Sequence, residues 1–178
     1  MGEQVNVDQF RLAMRNLAGA VNIVSTAHSG HRYGMTATAV CSATADPPTV
    51  LVCLNRVTST HGAVVKAGIF CVNVLRFEDA ELSTAFAGAQ AGETRFRARD
   101  WTKLATGAPV LSDALASFDC RVVNTLDHGT HTIFLGEVES ILIGRKGKPL
   151  MYAGGQYAKL ASLAHGEALP EGLDYWGF

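Results

Sequence analysis

A short polar segment after the hydrophobic run 49–54 carries groups that could bind a phosphate. It reads Asn55-Arg56-Val57-Thr58-Ser59-Thr60-His61 and leads into a pattern typical of a helix. Backbone N–H groups at the start of a helix, hydroxyl groups and an arginine could converge there on one anion. An ordinary helix cap beside a solvated Arg56 is an equally good interpretation of the segment taken alone.

A second group of reactive residues lies in a polar junction, where Asp127, His128 and His131 are close in sequence. Two histidines three apart suggest a metal site, but positions three apart on a strand face opposite sides. No further Glu or Cys falls at a useful spacing, so we expect no bound metal. Glu137 and Glu139 are two apart on one strand face, which is more typical of a solvated edge than of a catalytic pair.

The stretch from Gly34 to Ser42 is predicted to be one strand with unusually small side chains. It alternates hydroxyl residues with small apolar ones, and an Asp46-Pro47-Pro48 corner follows. Because ordinary core strands favour Val, Ile and Phe, this strand leaves its backbone open to something flat. It suits one wall of a site for a planar ligand, although large side chains from elsewhere could cover it equally well.

The elements that must position these groups follow from the hydrophobic pattern. A first helix is expected after a cap at Asn6 or Asp8, with Phe10, Met14 and Leu17 on one face and an end at Gly19. Strands are predicted over 21–27, 34–42, 49–54, 69–75, 114–126 and 130–143.

Two further helices and a long excursion complete the order of elements. One helix is expected between a cap at Thr58 or Ser59 and a closing Gly68, and another over 78–87. The segment 88–109 is polar and rich in Arg, and we interpret it as a lid or a subunit-contact arm.

At least six strands with few helices between them predict a mainly antiparallel β-barrel rather than a doubly wound sheet. The last two strands are joined by Asp127-His128-Gly129, a typical hairpin junction. No G-x-G-x-x-G follows a first strand and no P-loop motif is present, so a Rossmann-type dinucleotide domain is not expected.

The composition excludes several classes of protein. The 178 residues are 48% hydrophobic and carry a formal net charge of −1, which predicts one domain and gives no reason to expect binding to nucleic acid or to an anionic membrane. Neither a membrane span nor a secretory signal is visible, and we expect a cytoplasmic protein. The four cysteines lie singly in predicted strands, as small buried hydrophobes of a reducing compartment would.

Motifs in a fixed order along most of the chain resemble those of the flavin reductase-like proteins. These are the small reductase components of two-component flavin monooxygenases such as 4-hydroxyphenylacetate or phenol hydroxylase. The matches run from about Phe10 to Leu160. They are Gly19-Ala20-Val21, Ile23-Val24-Ser25-Thr26, Gly34-Met35-Thr36-Ala37-Thr38-Ala39 with Ser42, Asp46-Pro47-Pro48, Phe70-Cys71-Val72-Asn73-Val74-Leu75, Phe86-Ala87-Gly88, Gly129-Thr130-His131-Thr132-Ile133-Phe134-Leu135-Gly136-Glu137-Val138 and Pro149-Leu150-Met151-Tyr152-Ala153-Gly154-Gly155-Gln156-Tyr157.

The resemblance implies a split β-barrel with a few peripheral helices over residues 1–165, followed by an irregular tail over 166–178. It implies an NAD(P)H:flavin oxidoreductase that binds FMN or FAD, uses NADH or NADPH, forms a homodimer and supplies reduced flavin to a partner monooxygenase.

The resemblance also implies which residues bind the two ring systems. Along the flavin ring it places Met35, Thr36, Ala37, Thr38, Cys41 and Ser42. At the ribityl phosphate it places Asn55, Arg56, Ser59 and Thr60, with Phe86 and Ala87 closing over the flavin. The nicotinamide would be bordered by His131, Gly155 and Tyr157.

One departure from the family pattern concerns the proposed role of His131. Gly129-Thr130-His131 stands where many members have Gly-Asp-His, so a neighbouring carboxylate is absent unless Asp127 serves. Hydride transfer requires two stacked rings and the exclusion of water rather than a strong base. We therefore expect His131 to position nicotinamide or flavin, and a hairpin histidine bonded to the backbone is the alternative.

Other roles remain compatible with the same residues. Arg95, Arg97 and Arg99 could gate the site or approach the cofactor phosphates, or simply form a solvated face. A non-catalytic flavin-binding electron carrier is a second function, and a reductase that passes electrons to a cobalt corrinoid or a ferric chelate is a third. The residues do not separate FMN from FAD or NADH from NADPH.

Overall fold

A computed structural model describes residues 5–89 and 92–161 of the chain. The strands are β1 (Gly19–Ala20), β2 (Asn22–His28), β3 (His31–Ala37), β4 (Val40–Ala45), β5 (Pro48–Asn55), β6 (Ile69–Val74), β7 (Trp101–Lys103), β8 (Pro109–Leu111), β9 (Ala116–His128), β10 (His131–Ile143), β11 (Leu150–Ala153) and β12 (Gln156–Lys159). The helices are α1 (Val7–Met14), α2 (Ser59–Ala67) and α3 (Ala80–Thr84), with 3-10 segments at Phe77–Asp79 and Gly92–Ala98 and a π turn at Ala85–Ala89. The mainly β fold class is confirmed. The predicted tail over 166–178 lies outside the described residues.

Seven strands form one antiparallel sheet in the order β3-β2-β6-β9-β10-β5-β4, so β3 and β4 are its two edges. These edges are joined by Thr38 and Ala39 alone. A link of two residues spans roughly 11 Å at most, whereas the edges of a flat seven-stranded sheet would lie about 29 Å apart. The sheet must therefore curl until its edges approach without a ladder between them, which is the arrangement of a split β-barrel.

This closure corrects the prediction of one continuous strand from Gly34 to Ser42. The strand breaks at Thr38, whose carbonyl accepts a hydrogen bond from Val40 N at 2.9 Å, and Ala39 O accepts one from Cys53 N at 3.0 Å. The two halves therefore lie on opposite edges of the sheet. The small residues of the stretch let the chain cross between those edges.

The helix predicted between Thr58 and Gly68 is confirmed. The Thr58 hydroxyl accepts a hydrogen bond from His61 N at 3.2 Å, and Gly68 ends α2 in a left-handed conformation with φ of +67°. Glycine adopts this conformation without steric cost, which is why it closes the helix. In the described part of the chain, no helix is both long and apolar enough to cross a membrane.

The first helix starts as predicted but ends earlier. Asn6 caps it through a hydrogen bond from Gln9 N, and α1 ends at Met14 instead of near Gly19. Gly19 is taken into β1, where it pairs with Tyr152 of β11. Long-range pairing thus overrides the local stop signal.

Two apolar clusters pack on the two faces of the sheet. The barrel interior is filled by side chains that include Val24, Val52, Leu54, Phe70, Val72 and Phe134. A second cluster, between the sheet and the helical segments, includes Val21, Ile23, Leu75, Phe86, Phe96 and Leu111. The segment 88–109, which was predicted to be a polar excursion, supplies Phe96 to this second cluster, and Leu111 lies just beyond the end of the segment. Much of the segment is therefore packed onto the barrel rather than free to act as a lid.

The long hairpin differs from the prediction in its turn and in its place. Its turn is Gly129-Thr130, and Asp127 and His128 belong to β9. β10 lies inside the sheet between β9 and β5, so Glu139 is not on a sheet edge, and its carboxylate pairs with Arg121 at 2.5 Å. The strand predicted over 49–54 is confirmed as β5, which lies inside the sheet between β10 and the edge strand β4.

The four cysteines are all free thiols, but only Cys71 and Cys120 are buried. Burial raises the pKa of both thiols. Cys53 is half-buried and Cys41 is exposed. The expectation of four buried cysteines is therefore half correct.

Candidate functional site

A cavity of about 600 Å³ runs along the outer side of the edge strand β3. Its size lies within the range of small-molecule and cofactor sites. It is lined by Val21, Gly34, Met35, Thr36, Ala37, Thr38, Thr58, Ser59, Thr60, Phe86, Ala87, Gly88, Arg95, Tyr152 and Tyr157. The cavity is thus built by β3, the start of α2, the π turn, one 3-10 segment and the β11–β12 hairpin.

The edge position of β3 gives the cavity a wall of backbone polar groups. In an antiparallel pair, successive residues turn their N–H and C=O groups alternately toward the partner strand and away from it. Two contacts show that the even-numbered residues of β3 face away from β2. Arg32 N donates to the Glu93 carboxylate at 2.7 Å, and Gly34 O accepts from the Arg95 guanidinium at 2.8 Å. The peptide groups of Gly34 and Thr36 therefore point outward along this wall.

The small residues of β3 are required by what packs behind them. A Cβ on Gly34 would lie 2.8 Å from an edge carbon of the Phe86 ring and 3.3 Å from the Phe96 ring. Thr36 donates a hydrogen bond from its hydroxyl to Ser83 O at 2.6 Å, which ties the strand to the end of α3. The wall is therefore held rigidly at Gly34 and Thr36.

The start of α2 brings a row of hydroxyl groups to one end of the cavity. The Thr58 hydroxyl caps the helix and lies 3.6 Å from Met35 Sδ. Ser59 and Thr60 follow in the first turn, which contains no acidic residue. Thr60 is only 2% exposed, and no side-chain hydrogen bond found among the described residues uses its hydroxyl.

Arg95 supplies the charge of the cavity. Its guanidinium donates to Gly34 O at 2.8 Å and to Gly92 O at 3.1 Å, and it lies 5.5 Å from the centre of the Phe86 ring. Burial lowers the pKa of this side chain, although it stays protonated at neutral pH. The cavity lining described above contains no carboxylate, so the site carries a net positive charge.

The opposite end of the cavity is aromatic. Tyr152 and Tyr157 project from the β11–β12 hairpin and meet edge to face, with ring centres 5.9 Å apart. The Tyr157 hydroxyl donates to the Ser83 hydroxyl at 2.8 Å and so joins the hairpin to the end of α3. Ser83 thereby connects Tyr157 and Thr36, which lie on two walls of the cavity.

The structure brings most of the predicted site residues together. In the cavity lining are Met35, Thr36, Ala37, Thr38, Ser59, Thr60, Phe86, Ala87 and Tyr157. Phe86 is 1% exposed and fixed between Phe96 and Trp101, so it forms part of the wall rather than a movable cover.

Six predicted residues lie outside the lining, namely Cys41, Ser42, Asn55, Arg56, His131 and Gly155. Cys41 and Ser42 are on β4, at the other edge of the sheet. Gly155 is at the tip of the β11–β12 hairpin, and His131 starts β10, where its Nδ1 bonds to the Thr130 hydroxyl at 2.8 Å.

Arg56 belongs to a separate polar cluster that we call the hairpin cluster, made of Arg56, His61, Asp127 and Thr132. Arg56 and Asp127 form an ion pair at 3.7 Å. The Thr132 hydroxyl donates to Asp127 at 2.5 Å, so it accepts from His61 Nε2 at 2.8 Å. Asp127 therefore holds Arg56 and α2 in place instead of standing next to His131 as a catalytic carboxylate. The described residues contain no group of three or more side chains able to hold a metal ion.

Six further residues line the cavity, namely Val21, Gly34, Thr58, Gly88, Arg95 and Tyr152. Of these, the sequence suggests only Arg95, as one of three arginines that could gate the site or approach the cofactor phosphates. Val21, Gly34, Gly88 and Tyr152 belong to the motifs that carry the resemblance, so their proximity to predicted residues is a usable signal. The three arginines at positions 95, 97 and 99 have different surroundings. Arg95 lines the cavity, Arg97 is exposed, and Arg99 pairs with Asp79 at 2.7 Å.

Comparisons with known proteins agree with this geometry. A family model described as "Flavin reductase like domain" matches residues 14–161. A protein named FMN reductase (NADH) RutF 2, from Methylorubrum extorquens (strain PA1), is 44% identical over 158 residues, which cover 89% of this chain and 92% of that protein.

Two solved structures are similar over almost their whole length. The flavin reductase PheA2 in its native state is 34% identical with a TM-score of 0.81, covering 88% of this chain and 99% of that one. BorF, the flavin reductase component of a bacterial two-component tryptophan halogenase, is 28% identical with a TM-score of 0.81, covering 89% and 100%.

Proposed function

The chain belongs to the flavin reductase like domain family, and on that premise we propose that it is an NADH:FMN oxidoreductase. The observation that carries this proposal is the wall of β3, where outward peptide groups and small side chains line a cavity of about 600 Å³. The reduction of FMN by NADH is the activity named for its 44% identical relative.

The residues of the cavity fit a flavin mononucleotide. The Gly34–Thr38 wall offers a surface for a flat ring, and the outward N–H and C=O groups of Gly34 and Thr36 match the donors and acceptors on the edge of such a ring. The hydroxyls at the start of α2 and Arg95 provide for a phosphate. Bound flavin would supply the hydride acceptor, and NADH the donor.

The protein's own contribution is orientation and the exclusion of water. Tyr152 and Tyr157 can cover the face of the ring opposite β3, with Tyr157 held by Ser83. Two rings stacked in this way gain rate chiefly from their fixed geometry. The described lining contains no His, Asp or Glu that could act as a strong base, and hydride transfer requires none. The positioning role of His131 and the contact of Gly155 with nicotinamide stay predictions.

A partner oxygenase is part of the proposal. BorF is named as the reductase component of a two-component tryptophan halogenase, and we expect this chain likewise to release reduced flavin to a flavin-dependent monooxygenase. The cavity is open on its outer side, along the sheet edge, which favours exchange of flavin. The four free cysteines support a reducing, cytoplasmic location.

We expect the chain to act as a homodimer. Several large apolar side chains of and next to α1 are exposed, including Val7 at 62%, Phe10 at 57% and Leu12 at 65%. No residue of α1 is buried, so its apolar surface lacks a partner within the described chain. A molar mass measured by light scattering after size exclusion, for the wild type and for Phe10→Ser, tests this: a monomeric wild type contradicts it.

The activity is tested by mixing the protein with NADH and FMN, FAD or riboflavin in separate anaerobic cuvettes and following the nicotinamide and flavin absorbance bands. Catalytic loss of both bands, fastest with FMN, is the expected result. Ala87→Trp should slow it because Ala87 is exposed in the cavity lining, whereas Ala98→Trp, exposed outside that lining, is the matched control. Flavin binding without NADH oxidation would favour the electron-carrier function instead.

A further inference from the structure

Side chains of the 3-10 segment Gly92–Ala98 cover the first half of the β3 edge. At Arg32, the main-chain N–H donates to Glu93 Oε1 at 2.7 Å. At Gly34, the carbonyl accepts from the Arg95 guanidinium at 2.8 Å. Residues 93 and 95 thus meet residues 32 and 34 with the same spacing of two, at groups that a neighbouring strand would otherwise pair. We call these contacts of Glu93 and Arg95 with β3 the side-chain ladder.

Glu93 is the stronger of the two contacts in the side-chain ladder. Besides the Arg32 main chain, its carboxylate accepts from Nε and Nη2 of the Arg32 side chain at 2.9 and 2.7 Å. The hydrogen bond from the Arg32 side chain is the largest cause that lowers the pKa of the Glu93 carboxyl, so Glu93 is ionised at neutral pH. Bonds from a guanidinium fork to a carboxylate fix orientation as well as distance.

Arg95 is held by weaker bonds. Its guanidinium donates to the carbonyl oxygens of Gly34 and Gly92, and no ion pair with a carboxylate is found for it in the described ranges 5–89 and 92–161. Hydrogen bonds to neutral acceptors are weaker than those between two ions, and an arginine side chain has many rotamers. The place of its guanidinium therefore depends on the backbone that carries it, which Glu93 fixes two residues earlier.

The other contacts of the segment do not replace this one. Phe96 is buried against Phe86 and holds the segment on the barrel, but apolar burial is not directional. Arg99 pairs with Asp79 beyond the far end of the segment. A shift of the segment along β3 by one residue is a movement of roughly 3.3 Å, enough to separate the Arg95 guanidinium from the Gly34 carbonyl.

We propose that Glu93 is a positioning residue for flavin binding and acts through Arg95. By pairing with Arg32 it fixes the register of the 3-10 segment on β3, and so the place of the Arg95 guanidinium in the cavity. Glu93 itself lies outside the cavity lining. The inference rests on the proposed function, in which Arg95 takes part in binding FMN.

The test is a double-mutant cycle on FMN affinity, measured by flavin fluorescence in the absence of NADH. Glu93→Gln keeps the side-chain size but has one acceptor oxygen in place of two, and we expect FMN to bind about 5- to 20-fold more weakly. Arg95→Gln should weaken binding at least as much. The double variant Glu93→Gln/Arg95→Gln should match Arg95→Gln within a factor of about 2, because Glu93 has no other route to the flavin.

Glu139→Gln is the matched control for the loss of a carboxylate. Glu93 and Glu139 are 40% and 31% exposed and each pairs with one arginine, but Glu139 pairs with Arg121 outside the cavity lining. Its FMN affinity should stay within a factor of about 2 of the wild type.

Steady-state kinetics with NADH distinguish positioning from a loss of folded protein. In Glu93→Gln the KM for FMN should rise, while kcat at saturating FMN stays within a factor of about 2 of the wild type. A smaller folded fraction would instead lower kcat and leave KM unchanged.

Arg32→Gln tests the same contact from β3 and serves if Glu93→Gln does not fold. It removes the two side-chain bonds to Glu93 and keeps the main-chain one. FMN should therefore bind about 3- to 10-fold more weakly, again with no further loss when Arg95→Gln is added.

The outcomes that overturn this role differ from those that overturn the proposed function. Unchanged FMN affinity in Glu93→Gln overturns it, and so do losses that multiply in the double variant, because Glu93 would then act independently of Arg95. A lower kcat at unchanged KM would assign Glu93 to the fold alone. A wild type that binds FMN but does not oxidise NADH overturns the proposed reductase and leaves the cycle valid, whereas a wild type that binds no flavin overturns both.

Discussion

Two polar clusters of this chain differ in how far their hydrogen-bonding capacity is used. The side-chain amide of Asn73, a buried residue of β6, is saturated. Its Nδ2 donates to Ile23 O and Ser25 Oγ, and its Oδ1 accepts from Leu111 N and Ser117 Oγ, all within 3.1 Å. This Asn73 cluster is wholly buried. Its function is to fix four strands against one another.

The cavity beside β3 is the opposite case. Arg95 bonds only to backbone carbonyls, the Thr58, Ser59 and Thr60 side chains line the cavity, and the outer backbone groups of β3 face it. Since buried polar groups are almost always paired in folded proteins, the saturated amide is typical of a structural cluster, whereas the cavity keeps polar groups available to a ligand. This difference in the use of hydrogen-bonding groups distinguishes the Asn73 cluster from the cavity beside β3, although both contain polar residues in the sequence.

Removal of Asn73 should have the largest effect on stability. Asn73→Leu keeps the side-chain size but leaves the buried Ser117 hydroxyl and Leu111 N without their partner, and it removes one of the contacts of the buried Ser25 hydroxyl. We expect the free energy of unfolding to fall by about 3 to 5 kcal/mol, measured by urea denaturation. Asn124→Leu, at an exposed position of β9, is the control and should change it by less than about 0.5 kcal/mol. A loss below about 1 kcal/mol for Asn73→Leu would contradict the saturated-cluster interpretation.

A methyl group at Gly34 should affect both stability and the cavity. In Gly34→Ala the new Cβ would meet the Phe86 ring at 2.8 Å, within the buried aromatic cluster of Phe86, Phe96 and Trp101. Overpacking of this kind costs about 1 to 3 kcal/mol. Because Arg95 bonds to Gly34 O and lies near Phe86, we also expect weaker FMN binding.

The matched control for Gly34→Ala is Gly62→Ala in α2. Nothing lies within 4 Å of a Cβ built at Gly62, so the substitution should stabilise the chain by about 0.5 to 1 kcal/mol through helix propensity. Urea midpoints and FMN titrations of both variants make the comparison. Normal FMN affinity in a destabilised Gly34→Ala would show that Phe86 and Arg95 move independently of the wall.

The sequence predicts elements whose signals are local. Thr58 and Gly68 bound α2 because a cap and a left-handed glycine act within one turn. Most of the residues that the family resemblance places at the flavin ring lie in the cavity lining. What the sequence misses depends on closure of the barrel: the break at Thr38 places Cys41 and Ser42 on the far edge of the sheet.

The choice between two arginines shows the same limit. Arg56 is two to four residues in sequence from Thr58, Ser59 and Thr60, yet Asp127, far along the chain, pairs with it. Arg95 is distant in sequence and reaches the cavity because the 3-10 segment packs against β3. Only the fold shows that Arg56 is paired with a carboxylate, whereas Arg95 bonds to backbone carbonyls beside the cavity.

The hairpin cluster lies between the saturated Asn73 cluster and the open cavity, since its groups are paired while Arg56 and Asp127 are half-exposed. Burial lowers the pKa of His61, Asp127 raises it and Arg56 lowers it, with burial the largest cause. The unfolded chain therefore binds a proton more readily at His61 than the folded chain does. Stability from this group is complete above the ordinary histidine pKa of about 6.5 and is lost as the pH falls from there toward the lower folded pKa.

The smallest predicted effect is this pH dependence. Between pH 7.5 and pH 5.5 the unfolding free energy of the wild type should decrease by more than that of His61→Gln, which retains a donor for Thr132 but does not titrate. The difference should be below about 1 kcal/mol because water screens a half-exposed side chain. Urea denaturation of both proteins at the two pH values measures it, and the subtraction removes the contributions of His28, His31 and His128. An equal decrease in both proteins would mean that the Thr132 contact stabilises charged and neutral His61 alike, so that this paired cluster, like the one around Asn73, is insensitive to pH.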